Sequence, residues 1–253
     1  MEGLGSWAVS RMILAQIQTA LYQIYPDRCV GCGVLVEGDL GLCTSCWSET
    51  QFARGVCCRS CGVPLIGGQI GEIAECDGCL RHPRPWDQGR TALVYEGMAR
   101  RLVLRLKHGD RTDIVRPAAG WMLRAGDGLI GEDTVFVPVP LNWRRFLKRT
   151  YNQAALLAQD MARRSGVTCC PDALLRAKAT APMSGARADR VQAIEGAFRV
   201  NPRHVAALEG RSVVLIDDVM MSGATLEAAS QALGAARVGK IDVITLARVA
   251  MDL

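Results

Sequence analysis

Four Cys-x-x-Cys pairs in the first third of the chain constrain its fold more than any other feature. The pairs are Cys29/Cys32, Cys43/Cys46, Cys58/Cys61 and Cys76/Cys79. Each pair turns the chain so that two thiolates face one ion, and four thiolates complete a closed tetrahedral zinc site without an open position for water. The simplest arrangement is sequential, with one structural zinc site within residues 29–46 and a second within residues 58–79.

Other arrangements and other chemistries of these cysteines stay open from the sequence. The spacing also permits interleaved pairing, and Cys57 can replace its neighbour Cys58 as a ligand. Iron–sulfur clusters or redox dithiols use similar pairs. The turn-forming residues Gly33, Gly62 and Gly78 beside the pairs favour zinc. Such sites are structural, because no position is left for a substrate.

The composition of the whole chain is typical of a globular intracellular protein. The chain has 253 residues, of which 49% are hydrophobic and 22% charged. The first 25 residues show no signal-peptide pattern, and no apolar run reaches the roughly 18 residues of a membrane span. We therefore expect a cytoplasmic protein without a membrane span, in a reducing compartment where paired cysteines bind metal.

Hydrophobic periodicity divides the chain into three parts. Residues 1–26 predict an amphipathic helix that ends before Pro26, residues 27–82 a double zinc ribbon, and residues 88–253 an α/β domain. In the last part, predicted strands (91–95, 135–139, 213–217, 241–246) alternate with predicted helices (98–107, 114–124, 153–164, 224–233). Alternation of this kind predicts a mainly parallel sheet flanked by helices. Residues 176–211 lack a strong period, and part of that segment is expected to be a long loop.

Residues 212–226 carry the strongest functional signal. A buried-strand run ends in Asp217 and Asp218, passes through a turn of small residues and opens a helix. Carboxylates at the carboxyl edge of a sheet can accept hydrogen bonds from ribose hydroxyls. The turn, residues 221–225, can offer backbone N–H groups, two hydroxyls and a positive helix terminus to a phosphate. It lacks the Gly-x-x-x-x-Gly-Lys-Ser/Thr pattern of a Walker A loop.

These residues resemble the phosphoribosyltransferase signature, and almost the whole chain resembles the ComF family of competence-associated proteins. The resemblance includes the cysteine pairs, Leu106-Lys107-His108, residues 137–141, residues 149–153, Ala197-Phe198 and Leu246-Ala247-Arg248, all in the family's order. It implies a type I phosphoribosyltransferase fold that binds 5-phosphoribosyl 1-pyrophosphate (PRPP) with Mg²⁺, and two structural zinc ions in the ribbons.

The resemblance also implies roles for individual residues. Asp217 and Asp218 would hold the ribose hydroxyls, and the turn after Pro138-Val139-Pro140 would hold the pyrophosphate and its Mg²⁺. The 5′-phosphate would be bound by Met221, Ser222, Gly223, Ala224 and Thr225, while Arg149, Asn152 and Gln153 would line the same pocket. Arg176, Arg187 and Arg190 lie in the segment that would supply a lid over the ligand.

Several positions depart from the family pattern. Met221 stands where the family usually has Thr, Met183 where Gln is common, Ala193 replaces the usual Asn, and Thr150 a Gly. No dedicated segment for recognising an acceptor follows Arg248. These departures favour retention of ligand binding over catalysis, and we assign no catalytic residue.

The middle of the chain is basic, with 14 Lys and Arg against 7 Asp and Glu over residues 81–149. Arg100, Arg101 and Arg105 lie on one predicted helix, where the alternative is a solvated helix face. The leading hypothesis is a PRPP-binding protein that supports DNA uptake by handling single-stranded DNA, with DNA-uptake or helicase proteins as partners. The alternatives are an active phosphoribosyltransferase with an unidentified nitrogen acceptor and a zinc-ribbon adaptor protein.

Overall fold

The computed structural model describes residues 26–38, 41–67, 71, 73–109, 111–141, 151–177 and 196–250. The chain forms two compact units, Met1–Glu49 and Thr50–Leu253. The first cysteine cluster belongs to the first unit, and the second cluster belongs to the same unit as the α/β domain. The helix predicted before Pro26 lies outside the described residues. None of the helices in the described ranges has the length and apolar character needed to cross a membrane.

Tight backbone turns build the first cluster. The amide of Gly33 donates to the carbonyl of Cys29 over 2.8 Å, and the amide of Cys29 donates to Val34 over 2.8 Å. A short helix, α1 (Thr44–Ser48), begins directly after Cys43. The side chain of Cys43 caps this helix by accepting from the amide of Cys46. The local chain therefore folds around the sulfur atoms instead of around an apolar core.

The second cluster repeats this construction but is also packed against the α/β domain. Gly62 donates to the carbonyl of Cys58 over 2.8 Å, as Gly33 does to Cys29, and helix α2 (Asp77–Arg81) carries Cys79. The indole Nε1 of Trp86 donates to the carbonyl of Ser60 over 2.6 Å. Cys58, Cys61 and Cys79 are buried in one hydrophobic core together with residues of the parallel sheet.

The α/β domain contains seven described strands and five helices. The strands are β1 (Gln88–Val94), β2 (Thr134–Pro138), β3 (Thr168–Cys169), β4 (Leu174–Arg176), β5 (Phe198–Val200), β6 (Ser212–Met220) and β7 (Lys240–Arg248). The helices are α3 (Gly97–His108), α4 (Val115–Ala125), α5 (Gln153–Ser165), α6 (Val205–Leu208) and α7 (Ala224–Gly234). Five strands form one sheet in the order β1-β7-β6-β2-β3, with every pair parallel.

The predicted α/β architecture is confirmed. All eight predicted strands and helices of this domain occur, with bounds that differ by a few residues. The central strands are buried on both sides, as in β6, where Val214, Leu215 and Ile216 are inaccessible to solvent. Parallel sheets covered on both faces require such continuous apolar runs.

The segment predicted to be partly a loop is ordered at its ends. Strands β4 and β5 pair antiparallel, and the turn Pro202–His204 and helix α6 follow. Phe198 and Leu208 anchor these pieces because both are buried. Residues 178–195 lie outside the described part of the chain.

The sheet register places the expected site residues at one edge. Pro138 at the carboxyl end of β2 lies opposite Ile216 of β6, and the amide of Val139 donates to the carbonyl of Ile216 over 2.9 Å. Asp217 and Asp218 follow directly. The turn after β2 and the turn after β6 therefore lie side by side at the carboxyl edge, where α/β proteins bind ligands.

Candidate sugar-phosphate site and zinc clusters

The cysteines form the two predicted clusters, paired sequentially. One contains Cys29, Cys32, Cys43 and Cys46, and the other Cys58, Cys61, Cys76 and Cys79, with all sulfur atoms of a cluster within 4.8 Å of one another. The sequence had left interleaved pairing open, and the structure excludes it. Cys58 rather than Cys57 is the ligand, since the thiol of Cys57 instead donates to the carbonyl of Arg54 over 3.8 Å.

The sulfur geometry of both clusters fits zinc. Zn–S bonds of about 2.3 Å in a tetrahedron separate neighbouring sulfurs by about 3.8 Å. The Sγ atoms of Cys32 and Cys43 are 3.6 Å apart, and those of Cys61 and Cys76 are 3.7 Å apart. In each cluster four cysteines supply all four positions of the tetrahedron. These clusters therefore suit structural zinc and leave no coordination position for a substrate.

The turn after β6, which we call the phosphate loop (residues 221–225), has the backbone that the sequence predicts. Gly223 caps α7 in the left-handed conformation, with φ +88°. The hydroxyl of buried Ser222 accepts from the amide of Ala224 over 3.4 Å, while Met221 is 55% exposed. The amide of Ala224 is thus already engaged, but the glycine cap has no side chain to compete for the next amides of the first turn, so these can bind phosphate oxygens.

The two carboxylates before the loop occupy different surroundings. Asp218 is buried, and its Oδ1 lies 3.0 Å from Nζ of Lys107. Oδ1 of Asp217 accepts from the amide of Asp218 over 2.8 Å. Desolvation, and next the charge of Asp218, raise the pKa of Asp217 to about 7, against the opposing effect of Lys107. Asp217 therefore changes its charge near neutral pH.

Two further segments, residues 106–108 and 151–153, lie beside the end of β6 that carries Asp217 and Asp218. The phenol of Tyr151 donates to the carbonyl of Leu106 over 2.9 Å, next to Lys107. The amide group of Asn152 donates to the carbonyl of Val139 over 3.0 Å, and its oxygen caps α5 by accepting from Ala154. The segments 106–108, 151–153 and 217–218, which are far apart in sequence, therefore surround one edge of the sheet.

The other expected site residues are placed as follows. Pro140 lies in the turn after β2, Gln153 is fully buried at the start of α5, and Thr225 lies in the first turn of α7. Arg176 lies in β4, with its guanidinium over the ring of Phe198 at 5.2 Å. Arg149, Arg187 and Arg190 lie outside the described residues. The ligand roles of all these residues, and a lid function, stay predictions.

Sequence reasoning missed two residues that shape this site. Lys107 was noted as part of the Leu106-Lys107-His108 motif, without a role in the site, yet it pairs with Asp218. Arg248, at the end of β7, is buried and donates from Nη1 to the carbonyl of Met220 over 3.1 Å and to that of Met221. Both belong to short motifs that resemble the ComF family, which was the one available signal.

Two family models match the chain. A double zinc ribbon domain matches residues 20–80, and a phosphoribosyl transferase domain matches residues 151–252. Among solved structures, adenine phosphoribosyltransferase from Thermoanaerobacter pseudethanolicus is similar with 16% identity and a TM-score of 0.33, covering 56% of this chain and 83% of that one.

Curated relatives match over most of the chain. The DNA utilization protein YhgH of Escherichia coli is 30% identical over 82% of this chain and 91% of its own length. Competence protein F of Haemophilus influenzae is 30% identical over 87% of this chain and 96% of its own. Competence protein ComFC of Bacillus subtilis is 27% identical over 79% of this chain and 80% of its own length. With its double zinc ribbon and phosphoribosyltransferase domain, the chain belongs to the ComF family.

Proposed function

We propose that this protein binds PRPP with Mg²⁺ and supports the uptake or processing of single-stranded DNA. The observation that carries the first part is the convergence of Asp217, Asp218 and the phosphate loop at the carboxyl edge of a parallel sheet. Carboxylates for vicinal hydroxyls beside a helix terminus for a phosphate match a ribose 5-phosphate. The turn at Pro140, beside them, is the proposed place for pyrophosphate and Mg²⁺.

The proposal gives each described group a defined task. Asp217 and Asp218 accept hydrogen bonds from the ribose hydroxyls, while the amides and hydroxyls of the phosphate loop hold the 5′-phosphate. Mg²⁺ would supply positive charge to the pyrophosphate oxygens. Lys107 holds one carboxylate oxygen of Asp218 in place before ligand arrives. Because Met221 lacks a hydroxyl, fewer phosphate contacts are available, which favours binding over transfer.

The DNA part of the proposal has independent support. The relatives are named for competence and DNA utilization. Arg100, Arg101 and Arg105 are exposed on α3, whose last turn carries Lys107 of the proposed ribose site. Cations on one helix suit the phosphates of a nucleic acid. DNA-uptake or helicase proteins are the proposed protein partners.

Calorimetric titration of the zinc-loaded protein with PRPP and MgCl₂ tests the ligand. We expect saturable binding that is lost in the Asp217→Ala, Asp218→Ala double variant. Asp113→Ala is the matched control, because Asp113 is a half-exposed carboxylate paired with Arg111 in a 3-10 turn. Absence of binding by the parent protein, with native zinc content and circular dichroism, would overturn the proposal. Release of pyrophosphate on addition of a nucleobase or amine would extend it to transfer.

A further inference from the structure

Arg84 lies between the second cysteine cluster and the phosphate loop and contacts both. Its Nε donates to Sγ of Cys79 over 3.5 Å, and its Nη1 donates to the carbonyl of Ser222 over 2.9 Å. The side chain of Arg84 is only 3% exposed. One guanidinium therefore joins a ligand of the second cluster directly to the backbone of the loop.

Three neighbours fix the guanidinium of Arg84 in this position. Its Nη1 forms an ion pair with the carboxylate of Glu227 on α7, which is itself buried. Its Cζ lies 5.5 Å from the centre of the Trp86 ring. A Cβ at Gly223 would come within 2.7 Å of Nη1, so the loop backbone can approach Arg84 because this residue is glycine. A guanidinium held this tightly transmits small displacements.

The cluster end of this connection depends on metal. Four thiolates around one Zn²⁺ carry a net charge of −2, and the ion holds the four sulfurs together. Without it, the segment of Cys58 and Cys61 is linked to that of Cys76 and Cys79 only by hydrogen bonds, such as that from the amide of Arg59 to the carbonyl of Ala74 over 2.8 Å, and the anchor of Arg84 Nε is loosened. Hydrogen bonds to charged groups are among the stronger ones. We therefore expect the phosphate loop to become more mobile when this anchor of Arg84 is weakened.

We propose that Arg84 is a positioning residue that makes the geometry of the phosphate loop depend on the metal state of the second cluster. The role in ligand binding rests on the proposed function, that this loop holds a sugar phosphate. Zinc loading of the second cluster keeps the loop in its binding geometry. Loss of that zinc loosens the loop and weakens binding, so the second ribbon acts on the site as well as on the fold.

Hydrogen–deuterium exchange of the full-length, zinc-loaded protein tests this inference directly. In Arg84→Met we expect two zinc ions per chain by elemental analysis, yet amide exchange of residues 220–227 about tenfold faster than in the parent. Arg84→Lys keeps the charge but cannot reach both partners. Its exchange rate should fall between those of the parent and of Arg84→Met. Arg81→Met is the control, because Arg81 is an exposed arginine in the same segment. Exchange equal to the parent's in Arg84→Met would overturn the inference.

Two ligand variants locate the effect. Cys76→Ser, at the least buried ligand of the second cluster, should lose one zinc and loosen residues 220–227 as Arg84→Met does. Cys32→Ser should also lose one zinc but leave these amides unchanged, because its cluster belongs to the other compact unit. Equal loosening by both would contradict the inference. If Cys76→Ser unfolds, amide exchange in the Arg84 variants decides whether Arg84 couples the cluster to the loop, since these variants keep all eight cysteine ligands.

Binding measurements separate this inference from the proposed function. If the parent binds PRPP with Mg²⁺, we expect Arg84→Met to weaken binding about tenfold while retaining both zinc ions. If the parent binds no PRPP, the proposed function fails, while the exchange experiment still decides whether Arg84 couples cluster and loop. Unchanged affinity in Arg84→Met with a loosened loop would refute the consequence for binding.

Discussion

Nζ of Lys107 lies 3.0 Å from Oδ1 of Asp218, so the last turn of α3 is joined to the carboxyl end of β6. Neither partner is well exposed, with 19% of the lysine side chain and 12% of the aspartate side chain accessible. The pair places one positive charge beside two adjacent carboxylates. It thereby opposes the rise in the pKa of Asp217 that desolvation and Asp218 cause.

Substitution of Lys107 should shift the pH dependence of PRPP binding. Lys107 lowers the pKa of Asp217, against the larger raising effects of desolvation and of Asp218. In Lys107→Met the acid pair should keep a proton to higher pH, so affinity at pH 7 falls roughly threefold to tenfold and recovers partly as pH rises. Calorimetric titrations between pH 6 and 9 measure this shift.

Lys240→Met is the matched control for that experiment. Lys240 also pairs with an aspartate, Asp242, over 2.7 Å, but at the amino end of β7. We expect its pH profile of binding to follow the parent's. Parallel profiles for all three proteins would show that Lys107 does not set the charge of the site.

Asp217→Asn should stabilise the folded protein at neutral and alkaline pH. The folded pKa of Asp217 is raised to about 7 from an ordinary value of 3.8. Between these values the folded chain binds more protons than the unfolded chain, so this group's contribution to stability falls as pH rises, and the loss is complete above the folded pKa. The variant should gain about 4 kcal/mol at pH 8 and nothing below pH 4.

Thermal unfolding across this pH range provides the measurement. Asp113→Asn is the control of opposite sign, because a hydrogen bond from Arg111 lowers the pKa of Asp113. That group stabilises above its unfolded pKa and loses the contribution as pH falls, so its substitution should give no gain at pH 8. A constant stability difference between Asp217→Asn and the parent from pH 4 to 8 would refute the assignment.

Gly62→Ala should separate the second cluster from the sheet. Gly62 has φ +73°, and a Cβ would lie 2.5 Å from the amide nitrogen of Thr91 in β1. That contact involves backbone atoms, which cannot move aside without shifting the strand. We expect a loss of roughly 3 kcal/mol, from strain in the left-handed region together with overpacking.

Gly55→Ala isolates the conformational part of that cost. Gly55 has a similar φ of +75°, but an added Cβ meets nothing within 4 Å. Its substitution should cost only about 1 kcal/mol. Chemical denaturation monitored by tryptophan fluorescence compares the two, with Trp86 near the contact. Equal losses would mean that the close approach of Gly62 to β1 adds nothing to stability.

Much of this architecture could be predicted because local patterns encode it. The apolar run of β6 predicts a buried strand without knowledge of its neighbours, and Cys-x-x-Cys spacing predicts a pair of ligands for one ion. Asp217, Asp218 and Ser222 lie together because they are close in sequence. The sequential pairing of the cysteines was predicted, but spacing alone could not exclude the interleaved arrangement.

Contacts between distant segments could not be predicted in the same way. Neither the composition nor the periodicity around Lys107 identifies Asp218 as its partner, and Arg84 lies between the predicted zinc ribbon and the predicted α/β domain. The packing of Cys58, Cys61 and Cys79 into the core of the α/β domain is likewise absent from the cysteine spacing. Such pairings depend on strand order and on shape, which only the folded chain defines.

The exposed arginines of α3 provide the test for the DNA part of the proposal. Arg100, Arg101 and Arg105 are reversed to Glu, and binding of a labelled oligodeoxythymidylate is followed by fluorescence anisotropy over a series of KCl concentrations. If each arginine neutralises one phosphate, the slope of log K against log salt should decrease in magnitude by about 2, with a large loss of affinity at low salt.

A charge-matched variant distinguishes a binding surface from a general effect of net charge. Arg124, Arg199 and Arg203 are also exposed, and they lie on α4, on β5 and in the turn before α6. Reversal of these three changes the net charge by the same amount. If α3 forms the DNA surface, this variant should keep most of the parent's affinity and nearly its salt dependence. Equal losses in both variants would reduce the effect to long-range electrostatics, and full retention by the α3 variant would exclude that helix from DNA binding.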